Sequence, residues 1–212
     1  MINAVLFDYG GVLTPGGTAG SHAAMLSTQL GIPVPSESVE DLHRAFRVGS
    51  ITTGAFVAAV HTRFPERLGD LDEHVWHWPE LLRRHDRIYD LARRLRARGM
   101  PTGILSNVWP PIAQLLARAG AYDGFKPLVL SCEVGHAKPE PAVYHLTLRR
   151  LGLAAEEVLL IDDQPRHLAA ARDAGMRVLL MTGEAQVERE AAALVGLPDD
   201  VPQGPGQPAR TR

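Results

Sequence analysis

The sequence predicts an α/β protein: a parallel five-stranded sheet core with an all-helical segment inserted after its first strand. Three observations carry this reading. Residues 2–7, "INAVLF", are a continuous apolar run of strand length. Four more such runs follow only after Gly99, each succeeded by a helical pattern. Between them lies a block, residues 16–85, in which the patterns are helical. Strands that are apolar throughout are buried on both faces, and intervening helices supply the crossovers a parallel sheet requires.

The elements follow in order. The first strand runs into "FDYGGVL", residues 7–13, and a glycine-rich loop, "GGVLTPGGTAG", residues 10–20. Helical patterns then cover "SHAAMLSTQLG" (21–31), "SESVEDLHRAFRVG" (36–49) and "TTGAFVAAVHTRF" (52–64), the last with Thr52 or Thr53 as N-cap. Residues 65–82 are less regular and rich in breakers. In "DRIYDLARRLRAR", residues 86–98, Ile88, Leu91, Ala92 and Leu95 share one helical face, and Gly99 stops the helix. Strands are expected in "MPTGILSN" (100–107), "PLVLSC" (127–132), "EVLLIDD" (157–163) and "RVLLMTG" (177–183). Helices are expected in "PPIAQLLARAGAY" (110–122), "PEPAVYHLTLRRLGL" (139–153), "PRHLAAARDAGM" (165–176) and "EAQVEREAAALVGL" (184–197). The expected organisation is a core of residues 1–15 and 86–197, a helical domain of residues 16–85, and a disordered tail, 198–212, with no apolar face.

Bulk properties narrow the function. The chain has 212 residues, 45% hydrophobic and 22% charged, enough for one sizeable core with a smaller insert. A formal charge of -2 gives no basic field for nucleic acid or membrane. A single cysteine, Cys132, excludes an internal disulfide and suits a reducing compartment. The N-terminal apolar run is too short for a signal peptide or a membrane span, so a cytoplasmic protein is expected, monomer or homodimer. Lys126 and Lys138 are the only lysines in an arginine-rich chain, which singles them out.

Open parallel sheets bind ligands at the carboxyl ends of their strands. Asp8 ends the first strand, Ser106 and Asn107 the second, and Asp162 and Asp163 the fourth. Lys138 opens the helix after the third, with Pro139 suited to a first helical position. Carboxylates from two strands can hold Mg²⁺, and one of them can act as a nucleophile toward phosphorus. A lysine is a compact charge for a phosphate, and a serine hydroxyl can complete its cradle.

These segments resemble the haloacid dehalogenase (HAD) superfamily, in the subfamily with a helical cap after the first strand. "FDYGGVL" is similar to its first motif, "LSN" to the second, "KPEPAVY" to the third, and "IDD" with "AARDAGM" to the fourth; "GSITTGAF" resembles part of the cap. The resemblance runs from residue 2 to about 195 and implies a Rossmann-like core. It implies Asp8 as nucleophile and metal ligand, the Gly10 carbonyl and Asp163 as further ligands of Mg²⁺, and Asp162 close by. It implies Ser106, Asn107 and Lys138 as the binders of the transferring phosphoryl group.

One departure stands out. The family's phosphatases carry an aspartate two residues after the nucleophile, as acid and base; here that position is Gly10. Acid–base groups typically contribute ~10²–10⁴-fold, a minority of what phosphate-ester hydrolysis requires. The expected function is therefore a Mg²⁺-dependent phosphatase of a small phosphorylated metabolite, working through an aspartyl-phosphate. A catalytically weakened family member that binds or regulates is the first alternative, and a 2-haloacid dehalogenase the second. That dehalogenase branch has a tyrosine two residues after the nucleophile, whereas Tyr9 is one residue after. His74 and His77 lack a third ligand nearby, the arginines of residues 83–98 read as a solvated helix face, and His167 is either structural or a partner of the metal's ligands.

Overall fold

The computed structural model describes residues 1–15, 36–65 and 79–197. The expected helix at 21–31, His74 and His77, and the expected disordered tail lie outside the described residues.

Five strands form one parallel sheet: β1 (Ala4–Phe7), β2 (Thr102–Ser106), β3 (Leu128–Leu130), β4 (Val158–Asp162) and β5 (Arg177–Leu180), in the order β3-β2-β1-β4-β5. The apolar strands divide their side chains between two cores, as a period of two requires. Val5, Phe7, Ile104, Leu159 and Ile161 face one; Ala4, Leu6, Leu105, Val158 and Leu160 face the other. The fold is thus an α/β fold in which helices cover both faces of a parallel sheet.

The helices are α1 (Glu40–Arg47), α2 (Thr53–Arg63), α3 (Asp86–Ala97), α4 (Pro110–Arg118), the single turn α5 (Ser131–Val134), α6 (Pro141–Leu151), α7 (Pro165–Asp173) and α8 (Glu184–Val195). Thr52 is the N-cap of α2, its side chain accepting from the Ala55 amide at 3.2 Å. The helix α6 begins at Pro141, not at Lys138 or Pro139. A residue before proline is driven out of the helical region, so Glu140 is extended (φ −62°, ψ 129°) and the helix must start after it. Among the described residues, no helix is long and apolar enough to cross a membrane.

The chain on either side of residues 14–84 meets at one place. His85 donates from its amide to the Leu13 carbonyl and from Nδ1 to the Val12 carbonyl, both at 2.9 Å. Both α1 and α2 lean on an aromatic cluster that includes a core residue. Phe46 and Phe56 stack at 4.4 Å between centroids, and Trp109 packs 5.4 and 5.9 Å from them. Trp109 lies three residues beyond β2, so α1 and α2 pack against the loop that follows Ser106. Ser131 ties the same junction: its hydroxyl donates to the Arg47 carbonyl (2.7 Å) and accepts from the Val108 amide (2.9 Å).

Candidate active site

The chain runs from β1 outward to β2 and β3, then returns to place β4 on the other side of β1. That reversal opens a crevice at the carboxyl ends of β1 and β4. Phe7 pairs with Ile161, and the Asp8 amide donates to the Ile161 carbonyl at 2.9 Å, which brings Asp8 beside Asp162. Lys138 reaches the same point from the loop before α6. Its ammonium is buried, 3.0 Å from Asp8 Oδ2 and 2.5 Å from Asp162 Oδ2.

Two buried carboxylates around one ammonium do not share it equally. Burial pushes the Asp8 carboxyl up to about 7; Asp162 adds to the rise, while Lys138 and contact with the Ser106 hydroxyl oppose it. Burial acts on Asp162 too, but Lys138 and His167 hold it well below the usual carboxylate range. Burial favours the neutral amine of Lys138, yet Asp162 and Asp8 outweigh it and keep the ammonium charged.

The backbone of Lys138 is braced by Asn107. Its amide donates to Asn107 Oδ1, and Asn107 Nδ2 donates to its carbonyl, each at 2.8 Å. The Asn107 side chain, an expected phosphate binder, is bound along the backbone of the residue that carries the charge.

Asp162, expected beside a metal, is fully buried with both oxygens engaged. Oδ2 accepts from Lys138; Oδ1 accepts from the Gln164 amide (2.8 Å) and from His167 Nδ1 (3.1 Å). Asp8, Asp162 and His167 each place a ligand-type atom within 4.8 Å of the others, but Asp162 is saturated by protein donors. Burial holds the His167 pKa below its ordinary value, consistent with a neutral ring whose Nδ1 carries the proton.

Asp163 points elsewhere. Its Oδ2 accepts from Gln164 Nε2 at 3.0 Å, and its Oδ1 is buried with no hydrogen-bond partner among the described residues. The carboxylate lies against Gly11, where a Cβ would sit 2.5 Å from Oδ2 and where φ is +76°. Glycine at 11 is thus required twice, for the left-handed turn and for the approach of the acid. Gly10 is not among the left-handed glycines, and it bridges to Thr14. Asp8, the Gly10 carbonyl and Asp163 could together hold a hard cation: all offer oxygen, and the unpartnered Asp163 Oδ1 lacks a positive charge.

A profile of the haloacid dehalogenase-like hydrolases matches residues 2–175. The chain belongs to that family. N-acetylmuramic acid 6-phosphate phosphatase of Pseudomonas aeruginosa is 28% identical over 190 residues, covering 83% of this chain and 80% of that protein. Bifunctional epoxide hydrolase 2 of Sus scrofa is 36% identical over 111 residues, half of this chain but 20% of that protein; the chain spans about a fifth of such relatives. A magnesium complex of an HAD family enzyme from Bacteroides thetaiotaomicron superposes with a TM-score of 0.70 at 22% identity, covering 85% of this chain and 93% of that one. At that identity the likeness shows the shared fold.

Within this HAD-like site, Asp8, Ser106, Lys138 and Asp162 converge, and Asp163 joins through Gly11. Sequence reasoning missed Gly11 and Gln164. The double glycine was the available signal for the first; nothing in the spacing marked the second.

Proposed function

We propose that this chain is a Mg²⁺-dependent phosphatase of a small phosphorylated metabolite, with Asp8 as the group that accepts the phosphoryl. The observation that carries the reading is the buried Asp8–Lys138 contact, 3.0 Å, at the strand ends where the sheet reverses. One carboxylate oxygen of Asp8 attacks phosphorus as the bond to the leaving oxygen breaks, and water then hydrolyses the acyl phosphate, releasing inorganic phosphate and restoring the carboxylate. Lys138 offsets the charge on both carboxylate and phosphate, and the Ser106 hydroxyl donates to a phosphoryl oxygen. Asn107 and Asp162 position Lys138 from its backbone and its ammonium. Asp8, the Gly10 carbonyl and Asp163 would hold Mg²⁺, which supplies neutralising charge when bound. The phosphatase relative from Pseudomonas aeruginosa supports a small phosphorylated substrate. Residues 16–85 form the cap, and the Trp109 cluster supports its seat beside the loop after β2.

Gly10 leaves the leaving oxygen without its usual acid, so activated phosphates should turn over faster than alkyl ones. The same glycine favours a second reading, a family member that binds a phosphorylated metabolite without hydrolysing it. Phosphate release measured over a metabolite panel with p-nitrophenyl phosphate, with Mg²⁺ and with EDTA, tests the proposal. Mg²⁺-dependent release supports it; full release in EDTA, or none on any substrate, refutes it.

A further inference from the structure

Tyr9 follows Asp8, and each of its polar groups is engaged. Its amide donates to Asp8 Oδ1 at 2.7 Å. Its carbonyl accepts from the amides of Leu13 and Thr14, at 2.9 and 3.1 Å. Its hydroxyl donates to the Leu81 carbonyl at 2.8 Å, in the 3₁₀ turn Pro79–Leu82 that leads toward α3. The residue is buried, and its ring makes a T-shaped contact with Tyr122, 5.7 Å between centroids. Phenylalanine would satisfy that packing as well; the hydroxyl serves the Leu81 carbonyl. Burial holds the phenol well above its ordinary pKa, so the hydroxyl keeps its proton and remains a donor.

That bond closes a clasp. His85, four residues after Leu81, bonds to the carbonyls of Val12 and Leu13. Three hydrogen bonds thus hold the turn of residues 9–14 on the chain that enters α3. This is the turn that must place Asp8. The outer torsion of an aspartate is soft, so its carboxylate keeps one orientation only where other groups hold its oxygens. Lys138 holds Oδ2, and the Tyr9 amide holds Oδ1. The Lys138 ammonium is itself fixed by Asp162. The Tyr9 amide is fixed by what fixes Tyr9.

We propose that Tyr9 is a positioning residue: the clasp it closes with the chain before α3 keeps its amide on Asp8 and the carboxylate aimed for attack on phosphorus. This rests on the reading of Asp8 as the phosphoryl acceptor. A displaced nucleophile slows the reaction without weakening the binding of substrate in its ground state.

Single-turnover release of p-nitrophenolate from p-nitrophenyl phosphate, with enzyme in excess and Mg²⁺ present, tests this in Tyr9→Phe. That variant keeps the ring and loses only the hydroxyl. The maximal rate should fall about two- to tenfold, the range for one neutral hydrogen bond. The half-saturating concentration and the inhibition constant of inorganic phosphate should stay within about twofold. Tyr122→Phe is the companion variant. It removes, from the same cluster, a hydroxyl that is buried with no hydrogen-bond partner among the described residues, so the rate should not change. An unchanged rate in Tyr9→Phe, an equal fall in Tyr122→Phe, or a fall matched by weaker phosphate binding overturns the inference. If Tyr9→Phe does not fold, His85→Ala decides: it opens the neighbouring bond of the clasp, to Val12, and should slow the maximal rate with phosphate binding kept. An unchanged rate there overturns the inference too. A wild-type protein that releases no p-nitrophenolate overturns the phosphatase reading, and this inference with it.

Discussion

Replacing Lys138 with methionine should destabilise the protein in a pH-dependent way. The substitution keeps the buried stem and removes the charge between Asp8 and Asp162. Breaking a buried ion pair by deleting one partner typically costs about 3–5 kcal/mol. Two carboxylates lose their partner here, but the cost is not doubled, because Asp162 keeps its bonds from Gln164 and His167. For a chain of this length each kcal/mol shifts Tm by about 2–4 °C, so the loss should be about 6–20 °C. The pH dependence follows from Asp8. Its carboxyl is already raised to about 7 from 3.8, and losing Lys138 raises it further. A carboxyl raised in the folded state stabilises while protonated, and that stability is lost as pH climbs through the folded pKa. The deficit of the variant should thus be smaller at pH 5 than at pH 8. Thermal unfolding followed by circular dichroism, in EDTA, measures both. A Tm within ~2 °C of wild type at pH 8, or a deficit larger at pH 5, would refute this account of the cluster.

Asp8→Asn should abolish turnover while the fold is kept, read by phosphate release beside circular dichroism; a tenth of wild-type rate would remove Asp8 from the nucleophile's role. Lys138→Arg should lower kcat/KM, because a broad fork cannot replace a point charge packed between two carboxylates 2.5 and 3.0 Å away. Asp163→Asn should weaken Mg²⁺ binding with little change in Tm, whereas Asp162→Asn should lower Tm first, a contrast that calorimetry and thermal unfolding resolve. Gly10→Asp should raise turnover of alkyl phosphates more than aryl ones, by up to ~10²-fold, since it restores an acid near the leaving oxygen at a glycine that is not among the left-handed ones. An unchanged alkyl-to-aryl ratio in a folded Gly10→Asp variant would place the proton's source elsewhere.

The sheet was legible because its central strands are buried on both faces. Such runs leave a nearly unbroken apolar signal, and β1 and β4 carry it with every residue buried. The start of α6 was legible in principle, in the constraint Pro141 imposes on Glu140, but two prolines fit the same rule and only the fold chose between them. Asp162 and Asp163 could be read as an acidic pair at a strand end. Which acid does what could not, because adjacent residues leave the strand in opposite directions: one meets Lys138 and His167, the other Gly11. The partner of the Asn107 side chain was not legible for a related reason. It is the backbone of Lys138, 31 residues away, and no local pattern encodes that.

The central claim is that Asp8 carries the phosphoryl group. Borohydride reduces an acyl phosphate to an alcohol, so quenching the working enzyme with it should convert Asp8 to homoserine, read by the mass of the peptide containing residue 8. The account predicts this conversion only when substrate and Mg²⁺ are both present, and not in Asp8→Asn. Turnover that proceeds with Asp8 unmodified under the same quench, or with another residue reduced in its place, would contradict it.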